Sequence, residues 1–121
     1  MNTKLLGRKG EDVAANFLCR HGYHILARNF RVPVGELDIV ARKDDTVVFI
    51  EVKTRRGNRC GTPGQSVTWR KQKKIIQTAR WYLRQYHMEQ MLCRFDVIEV
   101  LPHSGKAWDV RQIIGAFEED A

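Results

Sequence analysis

The sequence predicts an α/β protein built on one mixed β-sheet flanked by helices, with elements in the order α-β-β-β-α-β. Three observations carry that expectation. Apolar residues recur at helical spacing near the start (Val13, Ala14, Phe17, Leu18) and past the middle (Ile75, Ile76, Ala79, Tyr82, Leu83, Tyr86). Between them lie two runs of strand character, GELDIVAR and TVVFIEVK, divided by Asp44-Asp45. A further apolar run, RFDVIEVL, follows the second helical stretch.

The elements follow in chain order. Residues 3–20 read as the first helix, with Thr3 placed to cap it and Gly22 to stop it. Residues 23–32, YHILARNFRV, suit a first strand that Pro33 ends. Residues 35–42 and 46–53 are the strands of a β-hairpin turning at Asp44-Asp45. Gly57, Gly61, Pro63 and Gly64 make residues 54–65 a loop. Ser66 can cap a second helix running to about His87, and residues 94–101 form the next strand. The stretch from Trp108 to Phe117 suits either a short strand or a helix. The early strands can form an antiparallel meander. The second helix then carries the chain to a parallel fourth strand by a right-handed crossover.

A chain of 121 residues is the size of one domain, expected to span 1–121. No apolar run approaches the ~18 residues of a membrane span, so no membrane partner is expected. Residues 1–9 lack the pattern of a secretory signal, which makes the cytoplasm the expected compartment. Cys19, Cys60 and Cys93 form no CxxC pair, so they read as reduced thiols rather than a zinc or redox motif.

Lys and Arg outnumber Asp and Glu 21 to 14, a formal net charge of +7 that favours a polyanionic partner. The distribution is more telling. Lys53, Arg55, Arg56, Arg59, Arg70, Lys71, Lys73 and Lys74 follow one another with no acidic residue between. Surface charges usually mix signs, so a one-sign stretch points to phosphate contact, although a plain solvated face is the alternative. Lys53 aside, these residues are the candidates for DNA backbone contacts that position a duplex without reading its sequence.

The hairpin carries the chemistry. Alternation puts Glu36 with Asp38 on one face, and Glu51 with Lys53 likewise. A two-residue turn pairing Lys43 with Thr46 and a four-residue loop pairing Arg42 with Val47 give the same register. Either way Asp38 stands opposite Glu51, and Glu36 opposite Lys53. Opposed carboxylates destabilise a sheet unless something compensates them, and a hard divalent cation does so. Lys53 could then hold a phosphate oxygen or orient the attacking water, the outline of metal-assisted hydrolysis. The alternative is a solvated acidic face with an ordinary Glu36–Lys53 ion pair.

GELDIVA, a short turn and VVFIEVKTR resemble the active-site hairpin of the PD-(D/E)XK nuclease superfamily, with Leu37 where the motif name has proline. The element order resembles that superfamily's restriction-endonuclease-like core. The whole chain resembles the bacterial YraN family, small proteins similar to archaeal Holliday-junction resolvases. The resemblance runs through GRKGEDVAANFL, GYHILARNFR, the hairpin, SVTWRKQKKI and RFDVIEV. It implies Asp38 and Glu51 as ligands of Mg²⁺ or Mn²⁺, Lys53 as catalytic lysine, and Glu11 as a further acidic site residue. Gln72 matches a polar position facing the site, and Glu36 is a second accessory candidate.

The resemblance implies an endonuclease acting on branched or structured DNA, and paired cleavage would call for a two-fold homodimer. The alternatives are a nucleic-acid-binding module that does not cut, and an RNA-directed protein. Trp81 and Trp108 read as packing residues, while Trp69, inside the basic run, is open to base stacking. Arg94 and Asp96 read as a structural ion pair. His21, His24, His87 and His103 have no ligand-like spacing, and no Gly-rich phosphate loop occurs.

Overall fold

A computed structural model of the chain describes residues 2–55 and 67–119. Among these run α1 (Thr3–Arg20), β1 (His24–Val32), β2 (Gly35–Lys43), β3 (Thr46–Thr54), α2 (Trp69–Gln85), β4 (Leu92–Leu101) and β5 (Asp109–Phe117). The strands form one sheet in the order β1-β2-β3-β4-β5. β3 and β4 are parallel and every other neighbouring pair is antiparallel. The predicted α-β-β-β-α-β order is present, and the undecided tail is the edge strand β5.

Both helices are capped away from the expected residue, α1 by one position and α2 by two. Asn2, not Thr3, caps α1, its Oδ1 accepting the Leu5 N–H at 2.8 Å. Thr68 caps α2 through Oγ1, which accepts the Lys71 N–H at 3.2 Å. Ser66, the expected cap, lies outside the described residues, as do Cys60, Arg56 and Arg59.

The helices cover opposite faces of the sheet. Ala14, Ala15 and Leu18 of α1 pack on Ile39, Ala41, Val48, Ile50, Ile98 and Val100. Ile75, Ile76, Ala79 and Tyr82 of α2 pack on Leu37, Val40, Val47, Phe49, Phe95 and Val97. Leu18, Ile39, Phe49 and Ile98 are at most 1% exposed, and burying side chains of this size stabilises by about 1.5–3 kcal/mol each. Trp81 departs from its expected packing role and is 45% exposed, because a step of about 100° from Tyr82 takes it off the buried stripe. Trp108 is half-buried against the α1-side cluster.

Two glycines set how closely the helices approach the hairpin. A Cβ at Gly10 of α1 would overlap the Thr54 side chain of β3, and one at Gly35 of β2 would overlap Thr78 Oγ1 of α2. On β4, Asp96 is fully buried and fully used. It accepts from Arg94 Nε and Nη2 at 2.9 Å each, from Gln112 Nε2 at 3.0 Å and from the Gly115 N–H at 2.9 Å. Arg94 and Asp96 are therefore the structural pair expected, and they tie β5 to β4 where the register shifts between Phe95 and Val97.

Candidate active site

Asp38 sits where the sheet opens. The β2–β3 ladder keeps the predicted register from Lys43↔Thr46 to Ile39↔Ile50, and Asp38 and Glu51 come next outward. On the other flank the β1–β2 ladder steps from Arg28↔Ile39 to Phe30↔Leu37 without pairing Asn29 to Asp38. Asn29 has a φ of 54°, a left-handed conformation that Asn tolerates better than most residues and that breaks the strand's alternation. Asp38 substitutes its side chain for the missing ladder: Oδ2 accepts the Val52 N–H at 2.9 Å.

The Asp38 and Glu51 carboxyls lie within hydrogen-bonding reach of each other. Burial pushes Asp38 from its ordinary 3.8 up to about 7, helped by the hydrogen bond and charge of Glu51 and by the charge of Glu36, against the pull of the Val52 N–H. The Glu51 side chain is 10% exposed, and Lys71 Nζ of α2 lies 3.8 Å from its Oε2. Phe49 packs towards α2, while Ile50 and Val52 pack towards α1. Alternation therefore turns Glu51 and Lys53 to the α2 face. Among the described residues the Lys53 ammonium has no hydrogen-bond or ion-pair partner.

The predicted opposition of Glu36 and Lys53 does not form, because paired register ends at Ile39↔Ile50. Glu36 turns instead to its β1 partner Arg31, whose Nε donates to Oε2 at 2.7 Å. Lys53 is in register with Glu99 of β4. Glu99 is 3% exposed and accepts from Arg55 Nε at 2.5 Å, with Arg111 Nη1 3.9 Å from its other oxygen.

From the α1 side comes Glu11, its side chain 13% exposed. Its Oε1 accepts from Arg28 Nε at 3.2 Å and from Asn29 Nδ2 at 3.0 Å. Burial raises its pKa, the Arg28 bond opposes that, and the charge of Asp38 adds to the rise. Glu11 and Asp38 line one cavity of about 270 Å³ with Gly7, Val52 and Thr54. The structure thus brings Asp38 within reach of Glu51 and sets Glu11 beside Asp38 in the cavity without joining the pair, with Lys53 two residues along from Glu51 on its face.

The other predicted residues are dispersed. Gln72 Nε2 donates to the Val67 carbonyl at 3.0 Å and closes the first turn of α2. Arg70 and Lys74 are exposed, and Lys73 Nζ lies 4.9 Å from the ring centre of Trp69, itself 67% exposed. Sequence reasoning passed over Asn29, Arg28 and Glu99. The available signals were an Asn inside a strand and a glutamate between the apolar residues of VIEVL.

Among the described residues no three His, Cys, Asp or Glu side chains converge as a ready-made metal cluster. The donors present are two partly buried carboxylates within hydrogen-bonding reach of each other. Oxygen donors of that kind suit Mg²⁺ or Mn²⁺, which complete their shell with water and substrate, and their charge offsets the carboxylates' repulsion.

Fold and site together define an α/β protein whose mixed sheet parts around a partly buried carboxylate pair. The chain belongs to the uncharacterised protein family UPF0102, whose model matches residues 10–100. This bears out the YraN resemblance at the level of family. It is similar to UPF0102 proteins of Syntrophotalea carbinolica (49% identity, 95% of this chain, 93% of the relative) and Symbiobacterium thermophilum (45%, 95% and 98%). A solved structure, SfsA of Pyrococcus furiosus in complex with Ca²⁺, is similar at 14% identity with a TM-score of 0.42. The match covers 91% of this chain and 63% of SfsA, so this chain spans under two thirds of that protein.

Proposed function

We propose that the protein is a metal-dependent endonuclease that hydrolyses phosphodiester bonds in branched or structured DNA. The observation that carries the proposal is the Asp38–Glu51 contact at the point where β2 and β3 part, with Lys53 next on the same face. Asp38 and Glu51 would hold Mg²⁺ or Mn²⁺. When bound, such an ion supplies positive charge against the charge that develops on the phosphate, and it makes water more acidic.

The chain's own groups do the rest. The Lys53 ammonium, free of partners among the described residues, is available to a phosphate oxygen or to the attacking water. Lys71 holds Glu51 from the α2 side, and its charge also faces an incoming phosphate. The Val52 N–H fixes the Asp38 carboxyl. Arg28 and Asn29 fix Glu11 at the edge of the pair. The PD-(D/E)XK resemblance implies the same parts for Asp38, Glu51, Lys53 and Glu11. One observation favours the non-cutting alternative, a nucleic-acid-binding module: no third carboxylate joins the pair among the described residues.

Purified protein incubated with labelled four-way junction, flap, single-stranded and linear duplex DNA tests the proposal. Each substrate is run with Mg²⁺, Mn²⁺ and EDTA, beside Glu51→Ala and Lys53→Ala. Cutting that needs the metal and disappears in both variants is expected. Salt-sensitive binding without cutting under any metal would establish the binding module instead.

A further inference from the structure

We infer a second phosphodiester-backbone site on the opposite side of the acidic pair from the basic stretch, in a groove between α1 and β1 that Lys4 and Arg8 would make the inlet for a nucleic-acid strand. The inference rests on the nuclease reading only for where the strand leads. The groove, about 690 Å³, is lined by Lys4, Arg8, Glu11, Asp12, Arg28, Asn29 and Arg31. Its carboxylates are already engaged. Arg28 Nε donates to Glu11 Oε1 at 3.2 Å and Arg28 Nη2 to Asp12 Oδ1 at 2.6 Å. Arg31 is paired with Glu36. Lys4 and Arg8 remain as cations with no carboxylate partner among the described residues, and both are exposed.

Helical spacing puts them in line with the site. Positions 4, 8 and 11 follow one face of α1, so the two cations stand one turn apart on the face that carries Glu11. Glu11 lines both this groove and the cavity that holds Asp38, so the two spaces meet at that residue. Across the pair stands Lys71, 3.8 Å from Glu51. Cations on both sides of a carboxylate pair suit a ligand with phosphates on both sides of the reacting bond. A single small anion would use only one end. The ligand class is therefore a polyphosphodiester, bound through its backbone.

The test measures binding, in EDTA, of a labelled DNA four-way junction by fluorescence anisotropy over a range of salt concentrations. Lys4→Gln/Arg8→Gln is compared with wild type and with a charge-matched control, Arg20→Gln/Arg84→Gln, at the far ends of the two helices. All are checked for an unchanged circular dichroism spectrum. Two lost phosphate contacts should make the slope of log Kd against log salt shallower by about 2, and weaken binding roughly tenfold near physiological salt. The control should keep the wild-type slope. A double variant with the wild-type slope, or a control that loses as much, overturns the inlet.

Cutting is scored separately on the same proteins with Mg²⁺. Wild type that binds with the Lys4/Arg8-dependent slope yet cuts nothing supports the inlet and removes the nuclease reading. Wild type that cuts while the double variant binds normally does the reverse.

Discussion

Replacing Asp38 by Asn should make the metal-free protein more stable at alkaline pH. The folded chain holds this carboxyl at about 7, against 3.8 ordinarily. Between those values the native state keeps a proton that the unfolded chain gives up. Stability therefore falls as pH rises through the window and levels off above it. At pH 8 the cost is at most about 4 kcal/mol. An amide at position 38 does not titrate, and it can still accept the Val52 N–H. Glu11, also raised, titrates with the same sign, and because the Asp38 charge is one cause of its rise, the variant loses part of that rise too, which widens the difference in the same direction. Urea unfolding in EDTA at steps from pH 4 to pH 8.5 gives the measurement. The two proteins should agree near pH 4 and diverge towards pH 8, with the variant the more stable. Saturating Mg²⁺ should restore wild type and leave the variant unmoved. Parallel pH profiles in EDTA would refute a carboxyl held up by burial and by Glu51 beside it.

Three further changes probe the scaffold. Asp96→Ala removes four acceptor contacts and leaves the Arg94 guanidinium only the Tyr23 hydroxyl, so denaturant unfolding should show a loss of about 3 kcal/mol. Leu18→Ala, at a residue with no exposure beneath α1, should cost about 2–5 kcal/mol in the same assay. Thr68→Ala deletes the α2 cap and should cost about 1 kcal/mol, while Thr68→Asn should retain most of the stability.

The hairpin register was legible because a tight turn and a period of two leave only one alignment that buries Ile39, Val40, Val48 and Ile50 together. What the period could not tell was where the ladder would stop. Extrapolated outward it pairs Glu36 with Lys53. In the molecule the strands part at the carboxylates, and Asn29 removes the pairing on the β1 side as well. The tail resisted assignment because Ile113 and Ile114 stand side by side and Gly115 has a φ of 62°, so its pattern follows neither period. The buried partner of that bulge, Asp96, lies nineteen residues away in sequence. The cap shifts have a simpler origin, since Asn2 and Thr3, like Ser66 and Thr68, are all capable caps. Arg55 looked like a free surface cation because its acceptor, Glu99, is separated from it by the whole of α2.

The two glycine contacts give the site a built-in scale. On one face α1 rests its Gly10 on Thr54, one residue before Glu11. On the other α2 rests Thr78 on Gly35, one residue before Glu36 and three before Asp38. At both points the helix-to-hairpin spacing is the thickness of a missing methyl group. The glycine itself has no side chain to shorten or lengthen, and only the facing threonine can turn to absorb an error. Apolar stripes elsewhere can repack around a substitution, but a larger residue at position 10 acts as a wedge. It lifts Glu11 away from Asp38. At position 35 the wedge works on the other helix and moves Lys71 relative to Glu51. The alignment of three separately built elements is thus recorded in two absent atoms.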